Sequence, residues 1–114
     1  MKVVVDANAL FSCLLKDGLA RILWFKQGLV FYSPDFLVLE FLKYRKYLLQ
    51  KSLLSETDFN ALFEKLFAKI IVVSKKDLTA FIPAAATLSN DAKDWLYLAC
   101  ALKEDAIIWS EDKE

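Results

Sequence analysis

A chain of 114 residues has the size of one domain and enough length for a hydrophobic core without disulfide or metal staples. Fifteen Lys/Arg balance fifteen Asp/Glu, so no global basic field advertises nucleic acid and any contact with a polyanion must be local. Histidine is absent, which excludes Ser-His-Asp and Cys-His catalysis and histidine metal sites. Any chemistry must use carboxylates, hydroxyls, lysines or backbone.

The hydrophobic fraction of 57% exceeds the ordinary globular range and predicts a dense core plus apolar surface left for a partner. Cys13 and Cys100 stand far apart, each inside an apolar helical pattern, and read as buried thiols of a reducing cytosol. The first fifteen residues lack a basic leader region, and Asp6 and Asn8 break their apolar run, so they do not read as a signal peptide. No run of about 18 apolar residues occurs, so no membrane span is expected and the location predicted is cytoplasmic.

In chain order, Lys2 to Val5 reads as a buried strand running into Asp6, followed by a helix from Asn8 to Leu15 that Gly18 closes. A second helix covers about Leu19 to Lys26, with Ile22, Leu23 and Phe25 apolar, and Gly28 ends it. Leu29 to Tyr32 is the second strand. Ser33-Pro34-Asp35 predicts a capped helix start, with Pro at the first helical position and an acid in the first turn. That helix runs to about Lys51, with Leu37, Phe41, Tyr44 and Leu48 as its core stripe, Glu40 at the stripe's edge, and Val38, Leu42 and Leu49 as a second apolar stripe.

Ser55-Glu56-Thr57-Asp58 resembles a capping box opening a helix from about Glu56 to Lys69, which completes an αα-hairpin. Ile70 to Val73 is the third strand. Lys75 to Leu88 reads as one short helix and a connection. Asp91 caps a last helix, about Ala92 to Lys103, on which Asp94 shares a face with Tyr97, Leu98 and Ala101. Ala106 to Trp109 is the fourth strand, followed by Ser110-Glu111-Asp112. The order β-α-α-β-α-α-β-α-β predicts an α/β fold of three layers, a central parallel sheet of about four strands covered by helices on both faces.

Four acids carry the functional question. Asp6 and Asp112 each follow the carboxyl end of a parallel strand, where open α/β sheets gather ligands, and Glu40 and Asp94 lie on or beside helix faces that meet the sheet. Each has an ordinary reading: Asp6 as an N-cap, Glu40 as a partner of Lys43 or Lys51, Asp94 as a capping-box acid after Asp91, Asp112 as a solvated tail residue. Jointly they can converge on one rim. Two bare carboxylates about 4 Å apart repel by roughly 4 kcal/mol at an effective dielectric near 20, which calls for protonation or a counter-ion. Without His or a Cys cluster the donors are all oxygen, a set that favours Mg²⁺ or Mn²⁺ and suits phosphodiester hydrolysis. Asn8 and Ser110 stand beside two of the acids and read either as residues that orient a carboxylate or water, or as helix-start and turn residues. Lys43, Arg45 and Lys46 read as phosphate contacts or as a solvated face.

At these residues the chain resembles the PIN domain family, on three stretches: VVVDANAL, SPDFLVLEFLKY and DAKDWLYLACALKEDAIIWSEDK. The resemblance spans nearly the whole chain, read as a single domain over residues 1–114. It implies that Asp6, Glu40, Asp94 and Asp112 form an acidic metal pocket, with Asp91 as an accessory acid whose N-cap reading is the better one. It further implies cleavage of RNA with Mg²⁺ or Mn²⁺, a homodimer, and a cognate antitoxin as in VapC-like toxins. The family pattern continues beyond the last acid, whereas this chain ends two residues after Asp112, so the resemblance predicts a truncated or shortened member. The leading expectation is a metal-dependent endoribonuclease toxin. The alternatives are a catalytically silent PIN-like module that binds RNA or protein and, less well matched because Asn8 replaces a second acid, a phospho-acceptor receiver or phosphatase domain. A dimer is expected through Val38, Leu42, Leu49, Phe59 and Phe63.

Overall fold

In the first strand, three consecutive valines leave no solvated face, and the strand is accordingly interior. The computed structural model of the chain describes residues 1–110, and in it β1 (Lys2–Val5) pairs in parallel with β2 (Val30–Pro34) on one side and β4 (Ile107–Trp109) on the other. β3 (Ile70–Val73) extends the sheet beyond β2, giving the order β3-β2-β1-β4 with every pairing parallel. The chain therefore builds outward over three strands and then crosses back past β1. The place where that direction reverses, between the carboxyl ends of β1 and β4, is where sheets of this kind open a crevice for ligands.

Strand alternation divides the interior into two cores. Val3, Val5, Phe31 and Ile70 face a larger cluster formed with α1 (Ala7–Leu15), α2 (Leu19–Trp24), α3 (Phe36–Ser52) and α4 (Glu56–Phe67). Val4 and Val73 face the opposite side, where α5 (Lys75–Leu78), α6 (Ile82–Ala86) and α7 (Trp95–Glu104) pack. This is the three-layer α/β/α arrangement expected. In the larger core the indole of Trp24 is wholly buried, its Nε1 donates to the Leu66 carbonyl at 2.9 Å, and its ring meets those of Phe31 and Trp109.

Several boundaries differ from expectation for identifiable reasons. Ser33 and Pro34 belong to β2 and do not start the helix: their ladder with β3 continues through Pro34 opposite Val73, and the Asp35 amide donates to the Val73 carbonyl at 2.9 Å. Ser33 is buried and its hydroxyl donates to the Val5 carbonyl at 2.9 Å, tying β2 to β1 instead of capping α3. Gly18 does not terminate a helix; at φ −140° it is extended and precedes α2, while α1 ends at Leu15 with Lys16 as its C-cap. Trp24, not Ile22 or Phe25, is the buried residue of α2. Lys75 to Leu88 holds more helix than predicted, α5 and α6 joined by a 3₁₀ turn over Thr79–Phe81, with Pro83 in the first turn of α6, where its missing N–H costs nothing. The helix expected from Ala92 begins as a 3₁₀ turn over Ala92–Asp94, and α7 proper starts at Trp95.

The apolar face predicted for a dimer is largely consumed inside the protomer. Phe59 is fully buried, Phe63 stacks on Phe41 at 3.9 Å between ring centroids, and Leu49 packs against the core. Of that set only Leu42 is widely exposed, and the outer side of α3 instead shows Leu39, Leu42 and Tyr47. Tyr44, expected in the core stripe, lies at the surface with its ring edge-on to Phe11.

Both cysteines are free and buried, as expected. Burial, with the Glu104 carboxylate nearby, pushes the Cys100 thiol up to about 12. Both thiols are shielded by burial and that of Cys100 is also held protonated, so the native protein at pH 8 is expected to leave both unreacted with a thiol-specific chromogenic disulfide, and denaturant to release both. Rapid labelling of the folded protein would contradict this core.

Candidate active site at the sheet rim

Asp6 directly follows β1, and the chain turns there into α1. Its Oδ1 accepts from the Ala9 amide at 2.9 Å, so the ordinary N-cap role is real. Its Oδ2 accepts from the Ser110 hydroxyl at 2.5 Å, a bond that joins the carboxyl ends of β1 and β4 across the switch point. Capping and site membership therefore coexist in one carboxylate. Ser110 orients Asp6; Asp112, the acid it was associated with in the sequence, lies outside the described residues.

Glu40 reaches the same place from the second turn of α3. It is held by Tyr97 of α7, whose phenol donates to Glu40 Oε1, and not by Lys43 or Lys51. Tyr97 is 7% exposed, and burial, followed by the bond to Glu40 and the charges of Glu40 and Asp6, holds its pKa far above the ordinary phenol value. It stays a neutral donor. Asp94, at the start of α7, accepts from the Ser89 hydroxyl through Oδ2 at 2.9 Å, and Asp91 caps the preceding turn by accepting from the Lys93 amide at 3.0 Å.

These side chains line one cavity of about 220 Å³, bounded by Asp6, Ala7, Asn8, Glu40, Asp91, Lys93, Asp94 and Tyr97. A second hollow of about 320 Å³ shares Asp6, Asp94 and Tyr97 with it and continues past Ser89, Leu88, Leu98, Ile108 and Ser110. Three of the four acids singled out in the sequence thus meet on one cavity, and Asp91 and Asn8 join them. Arg45 does not: its guanidinium bonds Asn60 at 2.5 Å and Glu56 at 3.3 Å, bracing α3 against α4. The residues that sequence reasoning did not assign to the site are Tyr97, Ser89 and Lys93. Tyr97 had a visible signal, one turn beyond Asp94 on the same face; Ser89 and Lys93 had none.

The donors around the cavity are carboxylates, hydroxyls and an amide, a hard-oxygen set that in kind suits a divalent cation such as Mg²⁺ or Mn²⁺. Among the described residues no three of His, Cys, Asp or Glu are gathered closely enough to hold an ion. Asp6, Glu40, Asp91 and Asp94 are spread around the cavity wall.

An all-parallel sheet wrapped by helices on both faces, with acids gathered at its switch point, defines an α/β/α domain with an acidic rim site. The chain belongs to the PIN domain family, whose family model matches residues 4–114. PIN domains are generally nucleases and typically use divalent metals, so a nuclease-type function follows at that coarse level. No curated protein matched the chain. Among the described residues no helix is long and apolar enough to cross a membrane.

Proposed function

We propose that the protein is a Mg²⁺- or Mn²⁺-dependent endoribonuclease, the cytoplasmic toxin of a toxin-antitoxin pair, with Asp6, Glu40, Asp94 and Asp112 as its metal-holding acids. The observation that carries the reading is the meeting of Asp6, Glu40 and Asp94 on one cavity at the switch point. A bound cation there would supply an activated water and neutralise charge on the phosphate. The chain's own residues do the positioning: Ser110 fixes Asp6, Tyr97 fixes Glu40 and Ser89 fixes Asp94. Lys93 brings a positive charge to the cavity wall, where a phosphate would enter between carboxylates. Leu42 and Tyr47 on the outer side of α3 offer apolar surface for a second copy or an antitoxin.

The test is incubation with a single-stranded RNA. Internal cleavage with Mn²⁺ or Mg²⁺ that stops in EDTA is the expected result, and cleavage that persists in EDTA would overturn the metal assignment. One observation favours a second reading, a silent PIN-like module that binds RNA or protein: the described acids are not drawn into an ion-holding group. Binding of RNA with no cleavage at millimolar Mn²⁺ would select it.

A further inference from the structure

Beside the acidic cavity, and sharing Glu40 and Lys93 with it, lies a smaller cleft of about 180 Å³ walled by Phe36, Leu39, Lys43 and Tyr44. Its volume is below the usual range for a drug-sized ligand and fits a single ring system. Lys43 and Lys93 flank it, and among the described residues neither forms an ion pair, although the chain has as many acids as bases. The Lys43 ammonium rests 5.3 Å from the centre of the Tyr44 ring. A flexible lysine over an aromatic ring can move to a phosphate and expose the ring's face. Among the described residues, the hollow on the other side of the acids has no basic residue in its lining, whereas this cleft has two.

The geometry points to a nucleotide-anchoring subsite: the cleft takes one base of a single-stranded RNA, stacked on Tyr44 and seated against Phe36 and Leu39, while Lys43 and Lys93 hold its adjoining phosphates. The strand then passes Glu40 into the acidic cavity, so the anchored nucleotide neighbours the phosphate to be cut. This rests on the endoribonuclease reading for its occupant. Stacking tolerates any base, because every base has a π face, so the subsite fixes the strand's position without reading its sequence. The acids repel phosphates, and the two lysines offset that repulsion where the strand enters.

Binding of a fluorescein-labelled oligouridine to the intact protein, followed by anisotropy in EDTA at low salt, separates the subsite from the chemistry. Lys43→Ala and Lys93→Ala should each weaken binding several-fold and reduce the slope of log affinity against log salt by about 0.7, the loss of one phosphate contact. Tyr44→Leu, which keeps an apolar group against Phe11, should weaken binding by about tenfold with no change in salt slope, and Tyr44→Trp should restore it. Unchanged affinity in all three weakening variants, or no binding by the wild type, overturns the subsite. Equal binding of polyglutamate, lost equally on Tyr44→Leu, also overturns it, since an acidic peptide would then be the occupant. Failure to cleave RNA with Mn²⁺ while these binding losses hold would sink the nuclease reading and leave the subsite standing.

Discussion

Asp6→Asn is expected to lower Mn²⁺-dependent RNA cleavage by on the order of 100-fold or more while the protein keeps its fold. The substitution separates the two roles of this residue. Asn is as good an N-cap as Asp, so its side-chain oxygen continues to accept from the Ala9 amide that Asp6 now serves at 2.9 Å. The Ser110 hydroxyl can rotate to accept from the new amide, and so the link between β1 and β4 survives. What is lost is the negative charge at the switch point. Losing a first-turn charge costs helix α1 only about 0.3–1 kcal/mol, too little to unfold the domain. Circular dichroism should therefore report a nearly unchanged melting curve beside a collapsed rate, and Asp94→Asn should behave alike. A variant that cuts RNA at the wild-type rate would remove Asp6 from the site and leave it as a cap alone.

The second large effect is expected at Tyr97. Replacing it with Phe removes the hydroxyl that donates to Glu40 Oε1 and leaves that part-buried carboxylate oxygen to the cavity. The stability cost is about 0.5–1.5 kcal/mol, the net worth of one hydrogen bond whose acceptor can turn to water. The functional cost follows from losing the group that aims Glu40 into the cavity, and such losses weaken metal affinity by about 10–100-fold. The expected signature is a higher half-saturating Mn²⁺ concentration, with much of the rate recovered when Mn²⁺ is raised. If the half-saturation point stays put while the melting temperature falls, Tyr97 is a packing residue only. Its ionisation should not appear in the wild-type pH profile. A raised phenol pKa means that the folded state keeps the proton, so the bond to Glu40 is complete below the ordinary phenol value of about 10 and fails only well above it.

Much of the architecture was legible because it rests on local pattern. The Val3–Val5 run, the β-branched Ile70–Val73 segment and the Ser55 capping box each specify their element without long-range information, and the structure has them at the expected places. Ser33-Pro34 was misread because its sequence fits a helix start equally well; only the pairing of β2 with β3 and the buried bond from Ser33 to Val5 decide for strand. Phe59 and Phe63 looked like surplus apolar surface because the stacking of Phe41, Phe59 and Phe63 inside the hairpin depends on how α3 and α4 are placed.

At the site, the acids were legible through their positions relative to strand ends and helix faces. Their supports were not, because they act across the chain: Tyr97 meets Glu40 from 57 positions away, and Ser110 meets Asp6 from 104. Ser110 was singled out for its neighbour in sequence and serves a different acid. Lys43 was visible only as one of the basic run Lys43, Arg45 and Lys46 on α3, and the fold distinguishes them: Arg45 braces α4 while Lys43 borders the cleft.

Calorimetric titration of Mn²⁺ into the metal-free chain of residues 1–114 is the most direct test that the acidic rim is a metal site. Saturable binding that disappears in Asp6→Asn and in Asp94→Asn is the predicted result. Heats indistinguishable from dilution at millimolar Mn²⁺ in the wild type would contradict the account.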